Sequence, residues 1–336
     1  MINFDSLTLK AQLKEIVPLL KDGRVQKIQQ ISRRELLFYI RSAGKSHKFY
    51  ISIFPSYAHC ALLSQKGEEL RLIEVPQKPP MFCMLLRKYM EGAKINKILQ
   101  PEHERIIEFC FDAYNELGAR TPLILAIELM GKHSNIILYN YDTNVILGCA
   151  HNISPEKSRE RELAGTLPYI YPPKQKKLDL LKLSQSEFYD MAKSIDTSIS
   201  EWLNYNFFDI SMALAIDVCN NIDFYKIYDK LQEILRLENL SPCISNSRDI
   251  YSLLSFDKKT ESFNSVNEMV DIYFGTHIYI DKIRKFKTEL FSAVNKELKR
   301  INNNMKKLRS AMENQEKAEN YRQIADTLMA NLYNIK

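Results

Sequence analysis

The 336 residues are 45% apolar, enough for a real core spread over two or three domains. Nine glycines, with no G-x-G-x-x-G or G-K-[ST] loop, exclude a glycine-rich nucleotide-binding α/β fold. Lysine and arginine number 47 against 41 aspartates and glutamates, a net charge of +6 that admits a polyanionic partner without identifying one.

Asp5 precedes Leu9, Leu13, Ile16, Val17 and Leu20, an apolar series at helical spacing, and reads as a helix N-cap worth about 1 kcal/mol. Pro18 is expected to kink or end this helix early. Four strand-like runs follow at 25–31, 35–41, 48–54 and 57–63. Their short polar breaks fit an antiparallel meander. Residues 67–78 form a polar connection.

The stretch PPMFCMLLRKYMEGAKINKILQPEHERIIEFCF, residues 79–111, reads as helix, turn, strand, tight loop and strand. Pro79 and Pro80 suit a helix start, and Gly92 supplies the stop. Phe82, Leu85, Leu86 and Tyr89 form the apolar face; Arg87 and Lys88 lie on the other, suited equally to solvent or RNA. The loop Gln100-Pro101-Glu102-His103 delivers Glu104 and Arg105 to the head of an apolar strand, where loops carry binding groups. By itself a Glu-Arg pair reads as a solvated strand end, because neighbouring strand residues point to opposite faces.

Residues 122–130 and 133–139 read as strands around Gly131-Lys132, with a short strand at 145–147. In this hairpin Asn135 is expected to satisfy turn backbone, while Lys132 and His133 reach phosphate. Residues 1–172 therefore read as an α+β domain: two groups of strands, each introduced by a helix, packed as a sandwich. The segment LPYIYPPKQKK marks a boundary. Residues 173–265 read as a small helical domain with helices at 184–193, 199–205, 210–219 and 224–237, decorated by a strand pair at 249–254 and 260–265. From residue 266 the chain reads as helix to its end. Val294, Leu298, Ile301, Met305, Leu308 and Met312 alternate spacings of four and three, a coiled-coil pattern, and residues 281–309 hold ten Lys/Arg against three Asp/Glu. Such an arm, with no returning helix, is expected to be truncated or to need another chain.

The six cysteines make no C-x-x-C pair, and the six histidines are scattered without metal-ligand spacing. No metal and no cofactor are expected. The opening MINFDSLTLKAQLKEI reads as a charged amphipathic helix without a signal-peptide core, and no apolar run is long enough to span a membrane, so the cytoplasm is the expected location.

Three motifs, PPMFCMLLRKYMEG (79–92), ELMGKHSNIIL (128–138) and YRQIADTLMANLY (321–333), together resemble the NFACT family, the group of bacterial RqcH and eukaryotic NEMF, whose members also carry the name fibronectin-binding protein A. The order of parts also fits: an NFACT-N domain, similar in fold to formamidopyrimidine-type DNA glycosylases, over 1–172; a helix-hairpin-helix-like domain over 173–265; and the first part of a coiled coil over 266–336. The second coiled-coil helix and the C-terminal NFACT-R domain are missing.

The resemblance implies a non-enzymatic factor that binds large ribosomal subunits carrying an obstructed peptidyl-tRNA. It recruits tRNA, expected to be alanyl, for template-free tailing of the stalled chain. The family's tRNA-interacting positions fall on Asp5 and on the pair Glu104-Arg105, where the family has Asp-Arg, so the acid is one methylene longer here. Asp209 stands near the place of the family's hairpin glycine, where an Asp repels phosphate and disfavours a glycine-type turn. Lys299, Arg300, Lys306 and Lys307 on the basic arm are expected to face the ribosome.

Two rival readings come with the resemblance. A DNA glycosylase of this fold uses an N-terminal Pro-Glu and a cysteine zinc finger, whereas this chain begins Met-Ile-Asn and has no such finger. A surface fibronectin-binding adhesin needs an export signal or anchor, and neither is evident in the sequence.

Overall fold

The computed structural model describes residues 4–114, 118–156, 158, 160–254 and 260–330. Helix α1 (Ser6–Leu20) starts where the Asp5 carboxylate accepts from the Thr8 N–H at 2.7 Å. Its apolar positions Leu7, Leu9, Leu13, Ile16 and Leu20 are all buried. Pro18 does not end it. In the last turn a proline forfeits a single N–H bond, the Lys21 N–H closes on Val17 at 2.9 Å, and buried Leu20 holds the turn down.

Strands β1 (Arg24–Ser32), β2 (Glu35–Ser42), β3 (Lys45–Ser52) and β4 (His59–Leu62) form the expected antiparallel meander. Helix α2 (Gln65–Arg71) occupies the stretch expected as a polar connection. In α3 (Met81–Met90) the fully buried side chains are Cys83, Leu86 and Met90, with Phe82, Leu85 and Tyr89 half-buried, so the helix rests on a stripe turned slightly from the expected face. Gly92 takes the left-handed φ of 84° that stops it. Strands β5 (Lys94–Leu99), β6 (Ile106–Tyr114), β7 (Arg120–Glu128), β8 (Asn135–Asn140) and β9 (Ile146–Cys149) complete the second group.

The two groups are not separate sheets. They join in one antiparallel nine-stranded sheet, ordered β4-β3-β2-β1-β5-β6-β7-β8-β9, at a short junction where Arg24 pairs with Lys94 and backbone bonds such as Val25 N–H to Ala93 and Ile95 N–H to Gly23 flank it. So slender a junction lets the sheet fold over on itself. Phe49 of β3 and Phe109 of β6 come within 5.1 Å, ring centre to ring centre, although three strands separate them in the sheet. The expected sandwich is thus a bent single sheet with its core inside the bend.

Helices α4 (Gln185–Ala192), α5 (Ile199–Asn206), α6 (Met212–Asn221) and α7 (Ile227–Leu235) follow, the first three capped by Ser184, Ser198 and Ser211. Their core is aromatic: Phe188 touches Tyr189, Trp202, Phe207 and Tyr228. The strand pair proves to be a three-stranded sheet with β10 (Cys243–Ser245) central between β11 (Tyr251–Ser252) and β12 (Thr260–Ser262). Helix α8 (Val266–Ala330) begins on the Glu15 carboxylate, which accepts from the Val266 and Asn267 N–H groups at 2.8 and 2.9 Å.

The chain divides into two compact units, Met1–Ile278 and Tyr279–Lys336. The expected breaks at 172/173 and 265/266 do not coincide with this division. Side chains from both sides of residue 172 share one core, and the first turns of α8, Val266 to Ile278, are largely buried in the first unit. The described part of the second unit, residues 279–330, is the remainder of α8. Its coiled-coil positions, among them Leu298, Ile301, Met305 and Leu308, are exposed, and residues 331–336 of the expected coiled coil, with the end of the third motif, lie outside the described residues. Among the described residues no helix is long and apolar enough to cross a membrane.

Candidate nucleic-acid interface

Strand ends of the bent sheet converge on one cavity of about 1140 Å³. The β1–β2 hairpin brings Arg33 and Arg34, the head of β6 brings Arg105, and the 3-10 turn between β7 and β8 brings Lys132 and His133. Arg105 is set by the ladder beside it: its carbonyl accepts from Leu129 N–H at 2.8 Å, and Ile106 pairs with Glu128. Among the described residues Arg33, Arg34, Arg105 and Lys132 have no carboxylate partner within ion-pair distance. A fifth cation, Arg161, is spent on the buried Glu128 carboxylate, with Nη1 to Oε1 at 2.8 Å.

The wall between these cations is polar and incompletely bonded. Gln30 Oε1, Ser134 Oγ and His151 Nε2 are buried without a hydrogen-bond partner among the described residues. All three residues line the cavity. Each such atom costs on the order of 1–3 kcal/mol. Burial first, then the charges of Arg34 and Arg33, pull the His151 pKa below its ordinary value, so this imidazole sits neutral among the cations. Asn135 fills the role expected of it. Its amide donates to the His151 carbonyl at 2.8 Å, and its Oδ1 accepts from the His151 and Ile136 N–H groups at 3.0 and 2.9 Å.

The other expected site residues are distributed around this cavity rather than gathered in it. Asp5 lines a separate depression of about 340 Å³ with Ser211, Asp217, Asp249 and Tyr251. Glu104 lines a third, of about 620 Å³, with His103, Lys174, Lys177 and Lys182. Burial raises the Glu104 pKa, against the pull of Arg105 and Lys174. Gln100 ties the neighbourhoods together, donating to the Ser6 carbonyl at 3.0 Å and the Glu104 carbonyl at 2.8 Å. Arg87 is drawn to β1, its Nε donating to the Ile28 carbonyl at 2.9 Å, and Lys88 lies over the Tyr89 ring at 5.7 Å; neither reaches the basic cavity.

Asp209 does take the glycine-type turn, with φ of 61°. Its carboxylate accepts from His103 Nδ1 at 2.7 Å, a bond that holds the turn. On the arm, Lys299, Arg300, Lys306 and Lys307 are exposed on α8, and Arg300 Nε lies 3.1 Å from Glu297. Sequence reasoning passed over Arg33 and Arg34. The available signal was two adjacent arginines in a hairpin between amphipathic strands, a pattern indistinguishable from an ordinary solvated turn.

The sequence profile described as NFACT N-terminal and middle domains matches residues 5–336. The chain belongs to the NFACT family. The NFACT chain is 29% identical to the protein named Rqc2 homolog RqcH of Bacillus subtilis over 346 residues, covering all of this chain and 60% of that protein. It is 27% identical to the RqcH homologue of Streptococcus pneumoniae over 337 residues, covering 99% of this chain and 59% of the relative. It thus spans about 60% of the length of these relatives. The solved N-terminal part of the fibronectin/fibrinogen-binding protein of Streptococcus suis superposes with a TM-score of 0.69 at 28% identity, covering 81% of the NFACT chain and 99% of that structure. The N-terminal domain of PavA, the fibronectin-binding protein of Streptococcus pneumoniae, gives 0.59 at 27%, covering 81% and 98%.

Proposed function

We propose that this chain is the RNA-binding front part of a cytoplasmic ribosome quality-control factor. It binds large ribosomal subunits obstructed by peptidyl-tRNA and recruits tRNA, of the alanine type, for template-free tailing of the stalled chain, without catalysis of its own. The carrying observation is the convergence of Arg33, Arg34, Arg105 and Lys132 on one polar-walled cavity, in a chain of the family whose relatives bear the Rqc2 homolog name. Unpaired guanidinium groups attract phosphate, stack on bases and bind guanine edges, and RNA is read chiefly at unstacked loop nucleotides. Asp5 and Glu104 supply acceptors for base amines or sugar hydroxyls at the rim.

The test is sequencing of the RNA that copurifies with the full-length protein and with its Arg105→Ala variant. Enriched tRNA that disappears in the variant supports the reading. Equal recovery from both removes Arg105 from the site, and no tRNA with wild type overturns the function.

A second reading, surface adhesion, draws on the names of the Streptococcus suis and PavA structures. Fractionating cells into wall, membrane and ribosomal pellets separates the two. Recovery in the wall fraction favours adhesion.

A further inference from the structure

We propose that Glu102, His103 and Asp179 form a binding site for a divalent cation of the zinc class, with Asp209 orienting the histidine. The three residues offer ligand atoms that all lie within 4.8 Å of one another. His103 Nε2 is 3.7 Å from Glu102 Oε1 and 3.8 Å from Asp179 Oδ2. Ligands about 2.1 Å from a tetrahedral ion stand roughly 3.4 Å apart, so movements of a few tenths of an ångström close these two edges. The linear spacing that predicts no metal does not show this cluster, because Glu102 and His103 lie in the loop before β6, Asp179 caps the 3-10 turn Leu180–Lys182, and the supporting Asp209 lies in the turn before α6.

The imidazole is held as a ligand. Its Nδ1 lies 2.7 Å from Asp209 Oδ2, a carboxylate only 7% exposed, so the proton belongs on Nδ1 and the Nε2 lone pair turns toward Glu102 and Asp179. A carboxylate behind a histidine is the usual outer support of a metal-binding imidazole. Phe208 stacks on the other side of the ring, 4.3 Å away and within 8° of parallel. The second Asp209 oxygen is buried without a hydrogen-bond partner among the described residues, and Lys177 is close enough to feel the charge of this support.

Two carboxylates and an imidazole nitrogen facing one another, of which Glu102, at 75% exposure, is the most open to solvent, favour a cation between them. Lys182 supplies part of one, with Nζ 3.0 Å from Asp179 and 3.9 Å from Glu102, but its side chain is 71% exposed and free to swing away. A compact divalent ion satisfies both carboxylates and the imidazole together. The mixed nitrogen and oxygen set suits zinc better than magnesium or calcium, which prefer oxygen alone. Three protein ligands leave a fourth position for water or for an oxygen of a bound molecule.

The test loads the chelator-treated full chain with zinc, removes excess by gel filtration and measures bound metal, with cobalt absorption as a second readout. One zinc per chain is expected in wild type. It is lost in His103→Asn, chosen because asparagine tolerates the left-handed φ of 62° at this position, and in Asp179→Asn, which keeps the capping oxygen. Asp209→Asn lowers affinity 10–100-fold with the ligands intact. Lys182→Met binds as tightly as wild type or tighter. Unchanged melting of each variant in chelator keeps these losses distinct from misfolding. Wild type without metal, meaning that a protonated His103 and Lys182 hold the cluster alone, overturns the site. So does metal that persists undiminished in His103→Asn.

Discussion

Arg71 Nη1 meets Asp271 Oδ1 at 2.6 Å with both side chains wholly closed to solvent. This pair clamps the start of α8 to α2: Ser64 donates to the same aspartate from N and Oγ at 2.8 and 2.7 Å. Removing one partner leaves a buried charge uncompensated. Asp271→Ala is expected to destabilise the first unit by about 3–5 kcal/mol in urea unfolding. Replacing both, as Arg71→Met with Asp271→Leu, is expected to recover most of that loss. Gly67 belongs to the same lock, since a Cβ there would stand 2.1 Å from the Asp271 carboxylate, so Gly67→Ala should also destabilise.

The same lock makes stability depend on pH. Burial, and then the charge of Arg71, hold the His59 pKa well below its ordinary 6.5. The folded state keeps this imidazole neutral, whereas the unfolded chain takes up a proton once pH falls below about 6.5. The contribution is therefore present above that pH and lost as pH drops, by up to about 1.4 kcal/mol per unit. Going from pH 7.5 to 5.5 should cost roughly 1.3 kcal/mol from this group alone. The burial-driven lowering of His151 acts in the same direction. Urea titrations at the two pH values check it, and equal stabilities would contradict a neutral buried His59.

The meander was legible because β1 to β4 are short apolar runs with polar breaks, and α1 because its cap and stripe coincide. The union of the two strand groups was not legible. It depends on a short β1–β5 junction around Arg24 and Lys94 and on a bend, and neither leaves a periodic trace. The Asp209 turn ran against local preference because His103, 106 residues away, supplies its partner. Arg105 could be singled out only through the family motif. Arg33, Arg34 and Lys132 become a site only when three hairpin ends meet.

Asp5 carries a structural duty as well as an expected recognition role. Its bond to Thr8 is a cap that asparagine reproduces almost fully and alanine does not. Asp5→Ala should lose about 1 kcal/mol of stability, and Asp5→Asn only a few tenths. If Asp5→Asn melts like wild type yet loses tRNA, the carboxylate is a recognition group. Glu104→Asp, which restores the family's acid, should retain or improve tRNA recovery.

On α8, the exposed Lys299, Arg300, Lys306 and Lys307 have little to do for folding. Changing all four to glutamate in the full-length protein should leave the melting of the first unit unchanged and weaken cosedimentation with large subunits. The deficit should persist through a salt titration with a shallower slope than wild type, because fewer counterions are released. Unchanged sedimentation would take this stretch out of the binding surface.

The basic cavity makes the last prediction separable into charge and recognition. Arg33 is exposed at the β1–β2 hairpin, and Arg34 lies over Phe54 with 5.8 Å between guanidinium carbon and ring centre. Neither anchors the core, so Arg33→Ala should change stability by less than about 0.5 kcal/mol. If the hairpin arginines hold phosphates, the double alanine variant weakens binding to all RNAs alike. The slope of log affinity against log salt then falls by about one for each phosphate that no longer has its arginine. Arg105, at a strand head beside the unpartnered wall, should behave otherwise. Its alanine variant should narrow the difference between tRNA and an unrelated RNA of equal length, by about 1–3 kcal/mol if it makes a bidentate base contact. Filter binding of both RNAs across a salt series distinguishes these outcomes. A uniform loss in every variant would make the cavity a purely electrostatic surface, and no loss in any would remove it from RNA binding.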